Sequence, residues 1–276
     1  MLRTMITATN TLNQLQQQID TISNNLANSN TTGYKAKEAT FSELLYQQYN
    51  NEKLDKADRQ SPAGIRYGVG AKLGQIQTNY AQGNVQMTDR DLDLAFTKEK
   101  QYFNILMPNG ENGTKQVYSR QGNFYVSPVE NGQVMLVNAD GYAVADSTGS
   151  AIFFPAEFQN FGLTEDGILG VNYPNGETLS IELGITELQK PQAMEHISDT
   201  YIGIPEDLTQ FEGQVLIDLQ GAARSEIGIK NGALEQSNVD LSKEMTELIT
   251  AQRSYQFQSR AITLADQMLG LINGIR

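Results

Sequence analysis

The chain has 276 residues, enough for one large domain or two to three modest ones, and its 39% hydrophobic content is ordinary for a folded protein. It contains no cysteine, which excludes disulfides and thiolate metal sites, and its formal charge of −12 argues against nucleic acid or an anionic membrane as a partner. No stretch is long and apolar enough for a transmembrane helix, and no short apolar run near the start points to a cleaved secretory signal.

Near the N-terminus Met5, Ala8, Leu12, Leu15, Ile19, Ile22 and Leu26 recur at alternating spacings of three and four, the mark of a heptad seam. Asp20 is the only charged residue between positions 4 and 34. Away from the seam lie Gln14, Gln17, Gln18, Ser23, Asn24 and Asn25, whose amide and hydroxyl groups can bond to neighbouring protein without burying charge. A helix with one apolar stripe is not stable alone, so this one requires company. Asn-Ser-Asn-Thr-Thr-Gly at 28–33 then ends it. Phe41, Leu44, Leu45 and Tyr49 fall on one side of a helical projection and predict a short helix over residues 38–50. The charged, aperiodic residues 50–61 predict a loop.

From Gly64 the period changes to two. Ile65, Tyr67 and Val69 alternate with polar or small residues, and the same pattern returns around residues 102–106, 117–118, 123–126, 134–137, 142–144, 171–173 and 179–181. Asn109-Gly110, Asp140-Gly141 and Asn175-Gly176 supply turns between them. A mostly antiparallel β-domain of sandwich or partial-barrel type follows. Helical spacing resumes after Gly232. Leu241, Leu248, Tyr255, Ile262 and Leu269 sit seven apart, supported by Met245, Ala251, Ala265 and Ile272, and Ser237 and Asp240 have capping-box spacing. The segments 83–92 and 232–241 echo each other, both reading Gly-x-apolar-x-x-hydroxyl-x-x-Asp-Leu.

Charge is distributed unevenly. Residues 137–235 hold sixteen acidic side chains against Lys190, Arg224 and Lys230, so the middle of the chain is acidic and solvated while the rest is close to neutral. Catalytic constellations are absent. His196 is the single histidine, so imidazole supplies at most one metal ligand, and no Gly-x-Ser-x-Gly elbow occurs. Gly68, Gly70 and Gly74 miss the dinucleotide fingerprint by one residue, and Asp89, Asp91 and Asp93 lack the glycine and glutamate of a calcium loop. The expectation is no enzyme, no metal and no cofactor.

Two stretches carry a resemblance. Residues 23–36, Ser-Asn-Asn-Leu-Ala-Asn-Ser-Asn-Thr-Thr-Gly-Tyr-Lys-Ala, resemble the N-terminal signature of bacterial flagellar basal-body rod and hook proteins. Asn24, Asn25, Leu26, Ala27, Asn28, Gly33 and Tyr34 carry the match. Gly232, Leu234, Ser237, Asn238, Val239 and Asp240, followed by residues 248–255, resemble the C-terminal signature of the same family. Residues 82–88, 92–96, 118–124 and 138–142 are similar to its β-domain, but Thr97-Lys98-Glu99-Lys100-Gln101 departs from the family's glycine-bracketed turn.

The resemblance implies an α+β fold. Its long terminal helices would pair as an antiparallel-hairpin-like coiled coil around a central, mostly antiparallel β-domain. Residues 1–34 with 236–276 would form the inner helical domain, 35–80 with 190–235 a connecting region, and 81–189 the outer β-rich domain. The length suits a distal-rod type subunit. Such a subunit is structural: it polymerises with itself into a tubular, torque-transmitting assembly and contacts other rod and hook subunits. It would reach the extracytoplasmic basal body through the flagellar type III export apparatus without signal cleavage. Helix pairing would fall to Leu12, Leu15, Ile19, Ile22 and Leu26 with Leu241, Leu248, Tyr255, Ile262 and Leu269, and Phe41 with Leu45 matches the family's export-gate element. The alternatives are a hook, hook-junction or proximal-rod type subunit. Outside the family the alternative is a non-catalytic β binding module dimerised by its coiled coil.

Overall fold

The computed structural model describes residues 2–43, 47–49, 65–67, 71–110, 113–129, 132–164 and 166–274. The fold is α+β: a long N-terminal helix, a series of antiparallel strand pairings and a long C-terminal helix. The chain divides into two compact units. The first comprises Met1–Ala27, Lys37–Thr78 and Asp240–Arg276, and the second Asn28–Ala36 with Asn79–Val239.

In the first unit α1 (Leu2–Ala27) and α3 (Leu241–Gly274) lie along each other. At 1.5 Å per residue they span about 39 and 51 Å. Heptad positions are covered on both: Met5, Ala8, Leu12, Leu15, Ile19, Ile22 and Leu26 on α1, where Thr21 and Asn25 are buried beside them, and Glu244, Leu248, Ala251, Tyr255, Gln258, Ile262, Ala265 and Leu269 on α3. Leu241 is in phase with this register, seven residues before Leu248, but it is half exposed, as are Met245 and Ile272. The covered part of the register on α3 therefore begins with a carboxylate, Glu244.

The same unit contains β1 (Lys37–Glu43), β2 (Gln47–Tyr49), β3 (Ile65–Tyr67) and β4 (Ala71–Thr78). Strand β1 pairs antiparallel with β4 over its whole length, with a bulge at Thr40/Phe41, and β2 pairs with β3. The short helix expected over residues 38–50 is thus wrong where the chain is described. A local helical pattern lost to a ladder whose partner lies some thirty residues away, and Thr and Phe favour an extended backbone when such a partner exists. Leu44, Leu45 and the loop at 50–61 lie outside the described residues.

The second unit holds the rest. Its strands are β5 (Val85–Met87), β6 (Leu94–Phe96), β7 (Gln101–Asn109), β8 (Gly113–Ser119), β9 (Tyr125–Pro128), β10 (Gln133–Val137), β11 (Ala143–Val144), β12 (Phe153–Pro155), β13 (Asn160–Leu163), β14 (Ile168–Asn172), β15 (Thr178–Glu182), β16 (Ile185–Leu188), β17 (Glu195–His196), β18 (Tyr201–Gly203), β19 (Leu216–Asp218), β20 (Ile229–Asn231) and β21 (Ala233–Glu235). A four-residue helix, α2 (Glu212–Val215), precedes β19. Ten strands form one sheet, ordered β12-β10-β11-β7-β8-β18-β17 with β9, β16 and β19 attached, and β13-β14-β15 form a second. Both sheets contribute to one apolar core, from Phe103, Ile105 and Val117 on the larger to Leu169 and Val171 on the smaller. Within it the rings of Phe96 and Phe124 lie 4.3 and 4.9 Å from that of Phe103. Residues 190–235 belong to this unit and residues 37–78 to the helical one, so the two stretches expected to form one connecting region are divided between the units.

The sequence echo has a structural counterpart. Strands β5 and β21, one from each copy of the pattern, pair antiparallel with Val85 opposite Glu235 and Met87 opposite Ala233. The backbone bonds Gln236 N to Asn84 O (2.8 Å) and Thr88 N to Gly232 O (2.7 Å) extend the pairing at both ends.

Candidate functional site: a buried charge clasp and the terminal helix pair

Three charged side chains meet inside the second unit. Lys35 follows the turn at 28–34, Arg120 follows β8, and Glu235 ends β21; all three are buried. Glu235 Oε1 accepts from Lys35 Nζ at 2.5 Å and from the Gly83 backbone N–H at 3.0 Å. Its Oε2 faces Arg120 Nε at 2.7 Å and Nη2 at 2.6 Å. Arg120 Nη1 donates to the carbonyls of Lys98, Glu99 and Gln101, and the guanidinium lies 5.5 Å from the ring centroids of Phe96 and Tyr102. Lys35 Nζ donates its other hydrogen bond to Ala81 O at 2.8 Å.

One carboxylate thus serves two cations, and each cation also donates to backbone carbonyls, although Arg120 Nη2, within ion-pair distance of Glu235, makes no hydrogen bond. Ions so deeply buried persist only with this degree of hydrogen bonding. Burial first, and Arg120 second, push the Lys35 ammonium below its usual range, while Glu235 opposes both. Burial also holds the Tyr102 phenol above its usual range.

The backbone around the clasp is equally constrained. Gly33 donates its N–H to Glu235 O at 2.9 Å and adopts φ 71°, and a Cβ there would stand 2.6 Å from the Arg120 carbonyl carbon. Only glycine suits both the left-handed backbone and the close approach. Tyr34 is fully buried. Asn238 Oδ1 accepts from Ala36 N (2.7 Å) while its Nδ2 donates to Asn79 O and Ala81 O (2.9 Å each), tying three chain segments together. Asn28 Oδ1 accepts from Thr31 Oγ1, bracing the turn after α1.

In the helical unit, Asn25 imitates a strand neighbour. Its Oδ1 accepts from Lys37 N at 2.9 Å and its Nδ2 donates to Lys37 O at 2.8 Å. Asp240, rather than Ser237, caps α3: its Oδ1 accepts from Ser242 N at 2.9 Å and Lys243 N at 3.2 Å. The capping-box expectation misplaced the cap by three residues, because Ser237 still lies in the segment after β21, where its Oγ accepts from Val239 N. Asn25 also hydrogen-bonds Glu244, and Gln18 shares a groove with Thr250 and Ser254, so α1 and α3 run antiparallel. Burial raises the Glu244 carboxyl above its usual range, and its Oε2 has no hydrogen-bond partner.

Of the residues singled out from the sequence, Leu12, Leu15, Ile19, Ile22, Leu26, Leu248, Tyr255, Ile262 and Leu269 occupy covered or half-covered positions on the two helices, and Leu241 does not. Gly232 is the left-handed residue (φ 64°) between β20 and β21, and Leu234 and Val239 are half buried. Asn24 Oδ1 accepts from Lys37 Nζ, and Ala27 closes α1. Phe41 lies in β1; Leu45 is outside the described residues. The departure at residues 97–101 is the turn whose Lys98, Glu99 and Gln101 carbonyls receive Arg120. Among the described residues no group of three or more His, Asp or Glu side chains is disposed to hold a metal ion, and no helix is long and apolar enough to cross a membrane.

Comparison with known proteins bears on the arrangement directly. Residues 5–35 match the family model "Flagella basal body rod protein", residues 98–171 match "Flagellar hook protein FlgE/F/G D1 domain", and residues 230–275 match "Flagellar basal body rod FlgEFG protein C-terminal". The flagellar hook-basal body complex protein FlhP of Bacillus subtilis is 45% identical over 283 aligned positions, covering all of both chains. The chain belongs to the flagellar basal-body rod and hook family. The flagellar basal-body rod protein FlgG of Borreliella burgdorferi is 31% identical across all of this chain and 99% of its own, and FlgG of Bacillus subtilis is 31% identical across 98% and 97%. The clasp draws one member from each family segment: Lys35 from the N-terminal one, Arg120 from the central one and Glu235 from the C-terminal one. The stretches around all three are legible as family signatures; that their charges meet is not, because they lie 85 to 200 residues apart.

Proposed function

We propose that this chain is a structural subunit of the flagellar basal-body rod, polymerising into a tubular helical assembly that transmits torque. The observation that carries this reading is its end-to-end similarity to several proteins named flagellar basal-body rod protein FlgG. In this reading α1 and α3 form an antiparallel coiled coil that lines the inner assembly, supported by the heptad spacing of the covered positions on both helices. The β-rich unit forms the outer part, supported by the acidic surplus of residues 137–235. The clasp and the Asn238 bonds fix residues 35–36 and 235–238 within that unit, which supports a rigid subunit able to carry torque. Its partners are further copies of itself and other rod and hook subunits. Export proceeds through the flagellar type III apparatus without signal cleavage, with the segment around Phe41 and Leu45 read by the export gate while the chain is unfolded.

Immunogold electron microscopy of isolated basal bodies tests the proposal. Label along the rod is the expected result. Label confined to the hook would transfer the chain to a hook role, and absence from basal bodies would overturn the reading.

A further inference from the structure

The three-stranded sheet ends at β15 and the larger sheet at β12, and neither of these strands pairs with a second neighbour. In the hairpin of β14 and β15, the bonds Tyr173 N to Glu177 O (3.0 Å) and Leu183 N to Gly167 O (3.1 Å) set the phase of the ladder. Leu179 and Ile181 therefore turn their backbone groups towards β14, and Thr178, Ser180 and Glu182 turn theirs away. The Glu182 carbonyl accepts from Ser147 N at 3.0 Å, whereas among the described residues no backbone bond reaches Thr178 or Ser180 on that side. Both are exposed. Proteins blunt such edges with lysine, proline, a bulge or a cover. Strand β15 has no lysine or proline, and its register with β14 is unbroken.

Beside this edge the core runs out. Leu179, Ile181 and Leu183 share one face of β15, and they go from 40% exposed through half buried to fully buried. Leu179 and Phe153 of β12, itself 46% exposed, line a groove of about 400 Å3 together with Ala151 and Ile152. Asp146 and Glu182 also line it, and among the described residues no lysine or arginine does. Glu182 lies 3.7 Å from Arg224 Nη1 but keeps a half-exposed side chain.

A helix spends its own backbone donors, so the free N–H and C=O groups of Thr178 and Ser180 require an extended occupant. Its inward side chain must be apolar to fill the groove, and its next side chain must complement a carboxylate. A second copy is a poor occupant, because the chain carries a charge of −12 and residues 137–235 hold most of the acidic surplus.

We propose that the β15 edge takes up an extended segment of a different protein in which apolar residues alternate with lysine or arginine. Its backbone continues the β13-β14-β15 sheet at Thr178 and Ser180, an apolar side chain enters the groove, and a basic one meets Glu182. This goes beyond the rod reading and does not depend on it.

Fluorescence anisotropy of labelled peptides with the purified full-length chain is the test. The peptide Lys-Val-Lys-Val-Lys-Val-Lys should bind about tenfold more tightly than Lys-Lys-Val-Val-Val-Lys-Lys, which has the same composition without the alternation. Binding should protect the Thr178 and Ser180 amides from hydrogen exchange. Ser180→Pro removes an N–H that points away from β14, so it should abolish the preference while the urea midpoint stays unchanged. Leu179→Lys, at an exposed position, should abolish it independently by blocking the groove and repelling the peptide. Equal binding of the two peptides, or a preference that survives both substitutions, would overturn the proposal. An alternating Glu-Val peptide that binds as tightly as the Lys-Val one would refute the basic partner. Self-association of the chain that Ser180→Pro abolishes would overturn it in favour of a second copy. None of these results alters the rod reading, which the immunogold label decides.

Discussion

Glu235→Gln isolates the clasp. The substitution keeps shape and volume but removes the carboxylate charge that bridges Lys35 and Arg120, leaving two cations buried. Removing one partner of a buried pair typically costs about 3–5 kcal/mol, because the remaining charge stays desolvated. That is a large share of the roughly 5–15 kcal/mol that holds a domain folded. With a urea m-value of about 2 kcal/mol/M, the midpoint of the β-rich unit should fall by roughly 1.5–2.5 M. The chain has 12 tyrosines and no tryptophan, so tyrosine fluorescence and near-ultraviolet circular dichroism report the transition. Adding Lys35→Met to Glu235→Gln should restore part of the loss, since one uncompensated cation disappears. A Glu235→Gln midpoint within about 0.3 M of the parent would refute the clasp as a structural requirement.

Other consequences are local. Gly33→Ala must place a Cβ 2.6 Å from the Arg120 backbone at a positive φ, and should lose at least about 2 kcal/mol by urea titration, whereas Gly176→Ala, with φ 84° and open surroundings, should lose only about 1 kcal/mol. Asp240→Ala should lower the stability of α3 by about 1 kcal/mol, read as reduced amide protection at Ser242 and Lys243. Glu244 gives the helix pair a pH dependence. Its carboxyl is raised by burial and further by Glu247 and Glu38, against Asn25 and Lys243, so the folded state holds the proton more tightly than the unfolded one. The stabilisation is complete below the unfolded pKa of about 4.3 and disappears as pH rises through the folded value. The helix-pair melting temperature should therefore fall from pH 4 towards neutrality more steeply in the parent than in Glu244→Gln.

What could be read in the sequence depended on the range of the interactions. The helices were legible because their covered residues recur every three or four positions, a local signal. The Asn-Gly and Asp-Gly turns did the same for the hairpin of β14 and β15, where Asn175-Gly176 lies between paired strands. Strand β1 was misread because its partner β4 lies beyond residue 70, and a helical projection of Phe41, Leu44, Leu45 and Tyr49 cannot register a ladder. Strands of two or three residues such as β17, β18 and β19 have no period to detect and exist through their neighbours. The clasp escaped for a related reason. Lys35, Arg120 and Glu235 look like ordinary surface charges until the fold brings both cations within 2.7 Å of the Glu235 carboxylate. Asn25 and Asn238 show the reverse: their stretches marked the family, and the structure supplies the reason, since each amide bonds backbone that a hydrophobic residue could not satisfy.

The central claim is that assembly depends on the terminal helix pair and not on the β-rich unit alone. Leu248 occupies a half-covered position on α3 where a buried leucine contributes about 1.5–3 kcal/mol, so a charge there opposes pairing with α1. Cells carrying Leu248→Glu as their only copy should be non-motile. Electron cryo-microscopy of their basal bodies should show rods that stop short, while the purified variant retains the near-ultraviolet spectrum of a folded β-rich unit. Motile cells with rods of normal length would contradict the account.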